Sequence, residues 1–235
     1  MVEKPGLDPR VLIVTSQKNN GSLWEASLRQ EAMSVLIETD PGRALARFEI
    51  EAPDLLVLDV DFDEKGTLDF VRSLRYEMFI PILLLSGHCS DEFTLEAYKA
   101  GVDDFILKPV AALLFQAKVM VWMRRSWSAG PGLLNPMKVG QMQLLPSEKT
   151  IVVNDHPPVR LTNLEMRLLH NLMSRVGHTI TVEELNQKIW GYSGEVDNKL
   201  IKNVVYRLRR KLEHDPAKPN IIQTVPGVGY RLALE

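Results

Sequence analysis

Short apolar runs alternate with amphipathic stretches through the first half of the chain. The apolar runs, rich in Val, Leu and Ile, cover residues 11–14, 34–37, 55–58, 82–85 and 105–107. Helix-like segments separate and follow them at 21–32, 41–51, 66–77, 90–100 and 111–125. Continuous apolar runs of this length are typical of strands buried on both faces, as in a parallel sheet. Five strand–helix units in order therefore predict an α/β domain with a doubly wound five-stranded parallel sheet.

The second half has a different pattern. Gly, Pro and Ser are frequent at 126–136, which predicts a linker between domains of residues 1–125 and 137–235. Strand-like pieces at 138–144, 150–153 and 158–161 are followed by helix-like segments at 162–174, 181–188 and 198–212, and then by a hairpin with strands at 221–225 and 230–234. This order predicts a smaller α+β domain. Thr162 with Glu165, and Thr181 with Glu184, have the spacing of capping boxes.

Composition is that of an ordinary globular protein, with 45% hydrophobic and 25% charged residues. No run approaches the ~20 apolar residues of a membrane span, and the first ten positions contain polar residues and two prolines where a signal peptide would be apolar. The single Cys89 forms no internal disulfide. We therefore expect a cytoplasmic protein with no membrane partner.

Charge is distributed unevenly between the halves. Residues 1–125 hold 14 basic and 20 acidic side chains, a net charge of −6, and residues 126–235 hold 14 basic and 10 acidic ones, a net charge of +4. The two values give the −2 of the whole chain. This asymmetry either indicates that the second half meets a polyanion or reflects chance clustering.

A basic amphipathic helix is predicted at 198–212. The apolar residues that fall on one stripe, at ~100° per residue, are Ile201, Val205, Leu208 and Leu212. The polar residues on the opposite face and its flanks are Lys199, Lys202, Asn203, Tyr206, Arg207, Arg209 and Arg210. Such side chains suit phosphates and the base edges of the major groove. Taken alone, the pattern favours either DNA binding or a solvated basic face.

Four segments extend over nearly all of residues 137–235. They are LTNLEMRLLHNLM (161–173), TVEELNQKIWGY (181–192), NVVYRLRRKL (203–212) and IIQTVPGVGYRL (221–232). Together they resemble the winged-helix effector domain of the OmpR/PhoB family of response regulators. The resemblance implies that the third helix enters the major groove of double-stranded DNA and that the hairpin is a minor-groove wing.

The resemblance also implies roles for single residues. Arg207 is the expected base reader, and Gly227 lies at the wing turn. The residues expected near phosphates are Lys199, Tyr206, Arg209 and Thr224. The residues of the loop through which the family contacts RNA polymerase are Trp190, Tyr192, Glu195 and Asp197.

This chain departs from the family at its DNA-binding positions. Pro226 stands where an arginine often precedes the wing glycine, and a wing without that guanidinium should be less attracted to the minor groove. Tyr206 and Val204 stand where the family commonly has Arg and His. Each lost phosphate contact removes close to one counterion from the salt dependence of binding. We therefore expect a shallower salt dependence than is usual in the family.

Three segments of the first half carry a second resemblance. They are PDLLVLD (53–59), PILLLSG (81–87) and GVDDFILKP (101–109). They resemble the flavodoxin-like receiver domain of response regulators over roughly residues 10–125. The resemblance implies that Asp59 is the phosphoryl acceptor, that Ser86 and Lys108 bind the phosphoryl oxygens, and that Phe105 is the aromatic switch residue. The polar groups end strands, where this fold places its chemistry.

The acidic pair that holds the metal ion in receiver domains is missing. Phosphoryl transfer needs a divalent cation to neutralise developing charge. Thr15 and Ser16 stand in place of the pair, and neutral hydroxyls are poor ligands for Mg²⁺. Only Asp59 and the backbone carbonyl of Asp61 remain of the usual metal ligands. We therefore expect no cofactor, with Mg²⁺ as the one candidate.

Three hypotheses follow for this altered receiver. In the first, the site is inactive as a phosphoswitch and Asp59 forms an ion pair with Lys108. In the second, Asp61, Asp63 or Glu64 serves as a replacement metal ligand and a sensor histidine kinase phosphorylates Asp59. In the third, the altered pocket binds a small ligand or a protein as its signal.

Dimerisation is expected through the fourth helix, fifth strand and fifth helix, as in the family. The residues assigned to this interface are Thr94, Tyr98, Asp103, Asp104, Leu113, Leu114 and Lys118. The charged residues that form salt bridges between subunits in the family are partly missing. Thr94 stands where a basic residue is common, and Leu114 stands where an acidic residue is common. Exposed apolar surface usually marks an interface. We therefore expect a homodimer held by apolar contact and independent of phosphorylation, the alternative being that these residues only pack the core.

The sequence gives less support to two other function classes, an enzyme and a protein-interaction adaptor. An enzyme using Asp59, Ser86 and Lys108 would need a general base beside the serine, and His88 has no identifiable orienting partner. A protein-interaction adaptor would use the winged helix to bind protein instead of DNA. We therefore expect a DNA-binding transcription regulator that is not an enzyme.

Overall fold

The computed structural model describes residues 9–16, 18–29, 31, 33–59, 63–78, 80–88, 90–128, 135–154, 156–190 and 198–233. These residues divide into two compact units, 9–128 and 135–233. Within the described chain no helix is long and apolar enough to cross a lipid bilayer.

The first unit is a parallel sheet with helices on both faces. Its strands are β1 (Arg10–Thr15), β2 (Ser34–Glu38), β3 (Leu55–Asp59), β4 (Ile82–Ser86) and β5 (Asp104–Leu107), in the order β2-β1-β3-β4-β5. Its helices are α1 (Lys18–Arg29), α2 (Ala44–Glu51), α3 (Glu64–Glu77), α4 (Asp91–Ala100) and α5 (Ala112–Ser128). The predicted doubly wound five-stranded parallel sheet is confirmed. Helix α5 continues to Ser128, so the first three residues of the predicted linker are helical.

Alternate residues of the central strands pack into two separate cores. Leu56 and Leu58 belong to a cluster with side chains of α2, α3 and α4, whereas Leu55 and Val57 belong to one with side chains of α1 and α5. This burial on both faces explains why the strands are continuous apolar runs. Ser90 caps α4 by accepting a hydrogen bond from the amide of Phe93.

The second unit contains two antiparallel sheets and three helices in its described part. Strands β6 (Met137–Val139), β7 (Met142–Leu145), β8 (Thr150–Val153) and β9 (Val159–Arg160) pair in that order. Helices α6 (Asn163–Met173), α7 (Val182–Trp190) and α8 (Asn198–Leu212) come next, with β10 (Ile180–Thr181) before α7. Strands β11 (Ile222–Val225) and β12 (Gly229–Leu232) complete a sheet of order β10-β12-β11. This arrangement confirms the predicted winged-helix domain.

One predicted strand of the second unit is divided in the structure. The single strand predicted at 138–144 is wrong, because the chain reverses at Gly140, with φ 57°, and Gln141 to form the β6–β7 hairpin. Ile180 and Thr181 form β10, and Thr181 directly precedes α7 as predicted, its Oγ1 accepting a hydrogen bond of 3.1 Å from the amide of Glu184. The capping box of Thr162 and Glu165 is present, with both reciprocal hydrogen bonds.

Candidate switch site and nucleic-acid interface

Asp59, at the end of β3, is the centre of the candidate switch site. Its side chain is fully buried, and its Oδ1 lies 2.6 Å from the ammonium of Lys108. Its Oδ2 accepts a hydrogen bond of 3.0 Å from the indole Nε1 of Trp24. Both carboxylate oxygens are therefore engaged by donors of the chain itself.

Strand topology brings these groups together. β1 and β3 are parallel neighbours, and Thr15 is the register partner of Asp59. The amide of Lys108 donates to the carbonyl of Ser86, which ties the end of β5 to the end of β4. Polar residues that end neighbouring parallel strands thus meet at one edge of the sheet, as the fold requires.

Sequence reasoning missed Trp24. This residue of α1 is 5% exposed, and its ring centroid lies 4.5 Å from that of Phe115 in α5. The ring lies on the apolar face of α1, so the pattern assigns it to the core and leaves its N–H unexplained. A buried indole N–H normally has an acceptor, and this requirement is the one signal that could have linked Trp24 to a strand-end carboxylate.

The described residues around Asp59 do not fit a Mg²⁺ ion. Thr15 is fully buried and Ser16 exposed, and neither carries a charge. Asp63 caps α3, its Oδ1 accepting from the amide of Gly66 at 2.6 Å. Asp61 lies outside the described residues. In the part of the chain that is described, no three His, Cys, Asp or Glu side chains are grouped to hold a metal ion.

The other expected switch residues are Ser86, which ends β4, and Phe105, which lies within β5. The Oγ of Ser86 accepts from the amide of His88 at 3.1 Å. Phe105 is half-buried, and its ring meets Phe93 of α4 edge-on at a centroid distance of 5.9 Å. The aromatic contact therefore connects β5 with α4.

The surface of α4, β5 and α5 carries several exposed apolar side chains, and its residues Asp103, Asp104 and Lys118 form ion pairs within the unit. Its exposed apolar side chains, which we call the α4–β5–α5 strip, are Leu95, Tyr98, Leu107, Leu114 and Val121, and Leu113 of α5 is 78% exposed. Asp103 binds Arg75 at 2.5 Å. Asp104 lies 2.9 Å from Lys118 and accepts from Trp122 Nε1 at 3.2 Å. Thr94 is half-buried.

Helix α8 packs its predicted stripe into the core of the second unit. Ile201, Val205 and Leu208 are buried. On the opposite face Tyr206 is 54% exposed, Lys202 and Arg210 are also exposed, and Asn203 is half-buried. The side chain of Lys199 lies outside the described residues.

Arg207 does not lie on this exposed face, because the structure buries its side chain, and its role as a base reader stays a prediction. The residue is 4% exposed, and its Nε lies 3.5 Å from Oε1 of the fully buried Glu165. Lys211 Nζ lies 2.6 Å from the other oxygen, Oε2. The physical reason is that Arg207 lies on the flank of α8 that meets α6, where a buried carboxylate requires cationic partners.

Arg209 is engaged on the other flank of α8. Its Nε and one terminal nitrogen donate to the carbonyl of Ile222 at 2.9 and 2.7 Å, and that nitrogen also donates to Thr224 Oγ1 at 2.8 Å. Burial lowers the pKa of Arg209 from its ordinary value, and the same burial raises the pKa of Tyr230. Arg209 and Thr224 therefore connect α8 to β11.

The wing is a short apolar turn between β11 and β12. Gly227 adopts φ 73°, and Pro226 and Val228 are exposed. An open groove of about 390 Å³ lies between β10, α8 and this turn, with Lys202, Thr224 and Gly227 among its lining residues. Of the predicted polymerase-contact loop, Trp190 ends α7, whereas Tyr192, Glu195 and Asp197 lie outside the described residues.

Comparison with known proteins gives two family matches. Residues 11–119 match the model "Response regulator receiver domain", and residues 156–232 match "Transcriptional regulatory protein, C terminal". The chain is 29% identical over 225 residues to the KDP operon transcriptional regulatory protein KdpE of Escherichia coli, covering 95% of this chain and 99% of KdpE. It is 28% identical over 229 residues to the probable transcriptional regulator ycf27 of Cyanophora paradoxa, covering 94% and 95%. Among solved structures, it is 23% identical to the response regulator DrrB of Thermotoga maritima, with a TM-score of 0.45 and coverage of 96% and 99%.

Proposed function

Because the chain belongs to the OmpR/PhoB family of response regulators, which bind DNA and are not enzymes, we propose that it regulates transcription without using phosphate as its switch. The observation that carries this proposal is the state of Asp59. Its carboxylate is enclosed, with Lys108 on one oxygen and Trp24 on the other. A phosphoryl donor would have to displace an indole and an ammonium from a buried group.

The chemistry around Asp59 supports the same proposal. A cation must neutralise the charge that develops on the transferring phosphoryl oxygens. The residues that take the place of the acidic pair, Thr15 and Ser16, supply only hydroxyls and backbone oxygens. Magnesium is therefore not part of this proposed function.

A phosphorylation assay tests the proposal. The full chain is incubated with acetyl phosphate and Mg²⁺ and run on a phosphate-affinity gel beside the Asp59→Ala variant. We expect no shifted band in either protein. A band that shifts in the wild-type chain and is absent from Asp59→Ala would overturn the proposal in favour of a conventional regulator, phosphorylated by a sensor histidine kinase with replacement metal ligands.

The DNA interface is proposed on the exposed face of α8 and on the wing. Lys202, Asn203, Tyr206 and Arg210 supply the donors and apolar surface that suit a major groove. The open groove beside Gly227 leaves room for a phosphate backbone between α8 and the wing. Enrichment of a specific duplex from a randomised pool by the full chain is the expected result, and recovery of no preferred sequence would favour the protein-adaptor alternative.

A homodimer through the α4–β5–α5 strip completes the proposal. Asp103, Asp104 and Lys118 are already paired inside the unit, so we expect the exposed apolar side chains to make the contact with a second copy. Sedimentation at ~50 μM, a concentration at which specific interfaces are commonly occupied, tests this. We expect a dimer for the wild-type chain and a monomer for Leu114→Asp, and a wild-type monomer would contradict it.

The remaining partners follow from the proposed function. RNA polymerase would meet the chain through Trp190 and residues 191–197, and the protein would act in the cytoplasm. Both statements rest on the family resemblance and stay predictions.

A further inference from the structure

Glu165 joins the start of α6 to α8. Its Oε2 accepts from the amide of Thr162 at 2.8 Å, as part of the capping box, and from Lys211 Nζ at 2.6 Å. Its Oε1 faces Arg207 Nε at 3.5 Å. One fully buried carboxylate therefore fixes a helix start and two cations of α8.

This arrangement opposes a direct role for Arg207 on DNA. To reach a base edge, Arg207 would have to leave a buried position and take one cation away from Glu165. A buried charge that loses a partner is strongly unfavourable, and DNA would have to supply that free energy at every binding event.

The opposite flank of α8 is fixed independently. Arg209 donates to the carbonyl of Ile222 and to Thr224 in β11. Ion pairs on the α6 side and hydrogen bonds on the β11 side thus set the position of α8. The face between the two flanks consists of Asn203, Tyr206 and Arg210, with Lys202 at its edge.

We infer that Arg207 is a positioning residue held by Glu165, and that base discrimination falls to Asn203, Tyr206 and Arg210. This inference rests on the proposed DNA interface. It assigns Arg207 to the support of α8, where it determines how the helix is presented. Asn and Arg can make bidentate contacts with adenine and guanine edges, and Tyr206 adds apolar surface and a hydroxyl between them.

The test uses duplexes that the full chain enriches from a randomised pool, and an unrelated duplex as the non-specific probe. Base preference and thermal midpoint are measured for Arg207→Lys and for Tyr206→Ala. Lysine keeps the charge that Glu165 needs but lacks the planar fork that reads guanine. We expect Arg207→Lys to retain the wild-type preference at every base pair, and Tyr206→Ala to retain the thermal midpoint while losing on the order of 10-fold discrimination at one or two base pairs.

A folded Arg207→Lys protein that loses about 10-fold discrimination at one base pair would overturn the inference. If Arg207→Lys does not fold, the Glu165→Gln variant tests the role of Arg207 instead, since glutamine still serves in a capping box. We expect Glu165→Gln to weaken binding to specific and unrelated duplexes by the same factor. A gain in specific binding alone would identify Arg207 as a base reader restrained by Glu165. Failure of the wild-type chain to enrich any duplex would instead overturn the DNA interface itself, and the inference with it.

Discussion

The indole Nε1 of Trp24 lies 3.0 Å from Oδ2 of Asp59, so a side chain of α1 serves as a hydrogen-bond donor to the expected phosphoryl acceptor. A hydrogen bond to a charged, buried acceptor contributes more than a neutral one, on the order of 1.5–3 kcal/mol. The hydrogen bond from Trp24 therefore stabilises the first unit and at the same time occupies one oxygen of the expected phosphoryl acceptor.

Replacement of Trp24 by Phe tests this contribution. Phenylalanine keeps a ring against Phe115 but removes the N–H, so we expect a loss of about 2 kcal/mol in the free energy of unfolding. Urea denaturation provides the measurement. Trp122→Phe is the matched control. The N–H of Trp122 also donates to a carboxylate that is paired with a lysine, but this carboxylate, Asp104, is only half-buried, so we expect a smaller loss. Equal losses in the two variants would contradict a special role for Trp24.

The salt dependence of DNA binding tests how much of the basic surface is available. Residues 202–211 contain five basic side chains, of which Lys202 and Arg210 are exposed, whereas Arg207, Arg209 and Lys211 are buried or half-buried. We expect Lys202→Ala and Arg210→Ala each to reduce the slope of log K against log salt by about one. Lys138→Ala, at an exposed residue of β6, should leave the slope unchanged. A wild-type slope as steep as that of a typical relative would contradict the expectation that few basic side chains contact the phosphates.

His170 gives the second unit a pH-dependent stability. Burial lowers the pKa of His170 below its ordinary value of 6.5. The unfolded chain therefore binds the proton more readily, and stability increases with pH across this range. The contribution is fully present above about pH 6.5 and is lost as the pH falls below it.

Urea denaturation at about pH 7.5 and about pH 5.5 measures this effect. We expect His170→Gln to reduce the difference in unfolding free energy between the two conditions. His178→Gln, at an exposed position, is the control and should leave the difference as in the wild type. Identical pH dependence in the wild-type and His170→Gln proteins would rule out this role for burial.

Gly229 is required by the close approach of β12 to β10. A Cβ at this position would lie 2.0 Å from the carbonyl oxygen of Ile180. We expect Gly229→Ala to lower the free energy of unfolding by roughly 3 kcal/mol, because backbone has to move. Gly227→Ala is the matched control, since its Cβ meets nothing within 4 Å and only its φ of 73° is unfavourable, at about 1–2 kcal/mol. The order of the two losses, measured in urea, checks the prediction.

The strands of the first unit could be predicted because burial on both faces leaves a continuous apolar run. Asp59 and Lys108 could be placed at one sheet edge for a similar reason, since parallel strands end together. Trp24 could not be placed there, because periodicity identifies a core ring but does not show which group its N–H meets. The burial of Arg207 could not be predicted, because helix periodicity gives its angle around α8, whereas its burial depends on Glu165 in another helix.

The enclosure of Asp59 has a kinetic consequence. Because Trp24 is 5% exposed and is packed on Phe115, a reagent that approaches Asp59 from the side of Oδ2 reaches the carboxylate when α1 opens locally. Modification of Asp59 is then governed by an opening equilibrium of α1, in the same way as amide hydrogen exchange in a protected segment. The rate at which Asp59 reacts would be the product of that opening equilibrium constant and the intrinsic reactivity of the reagent, so its ratio to the rate of an unprotected carboxylate would report the free energy of opening.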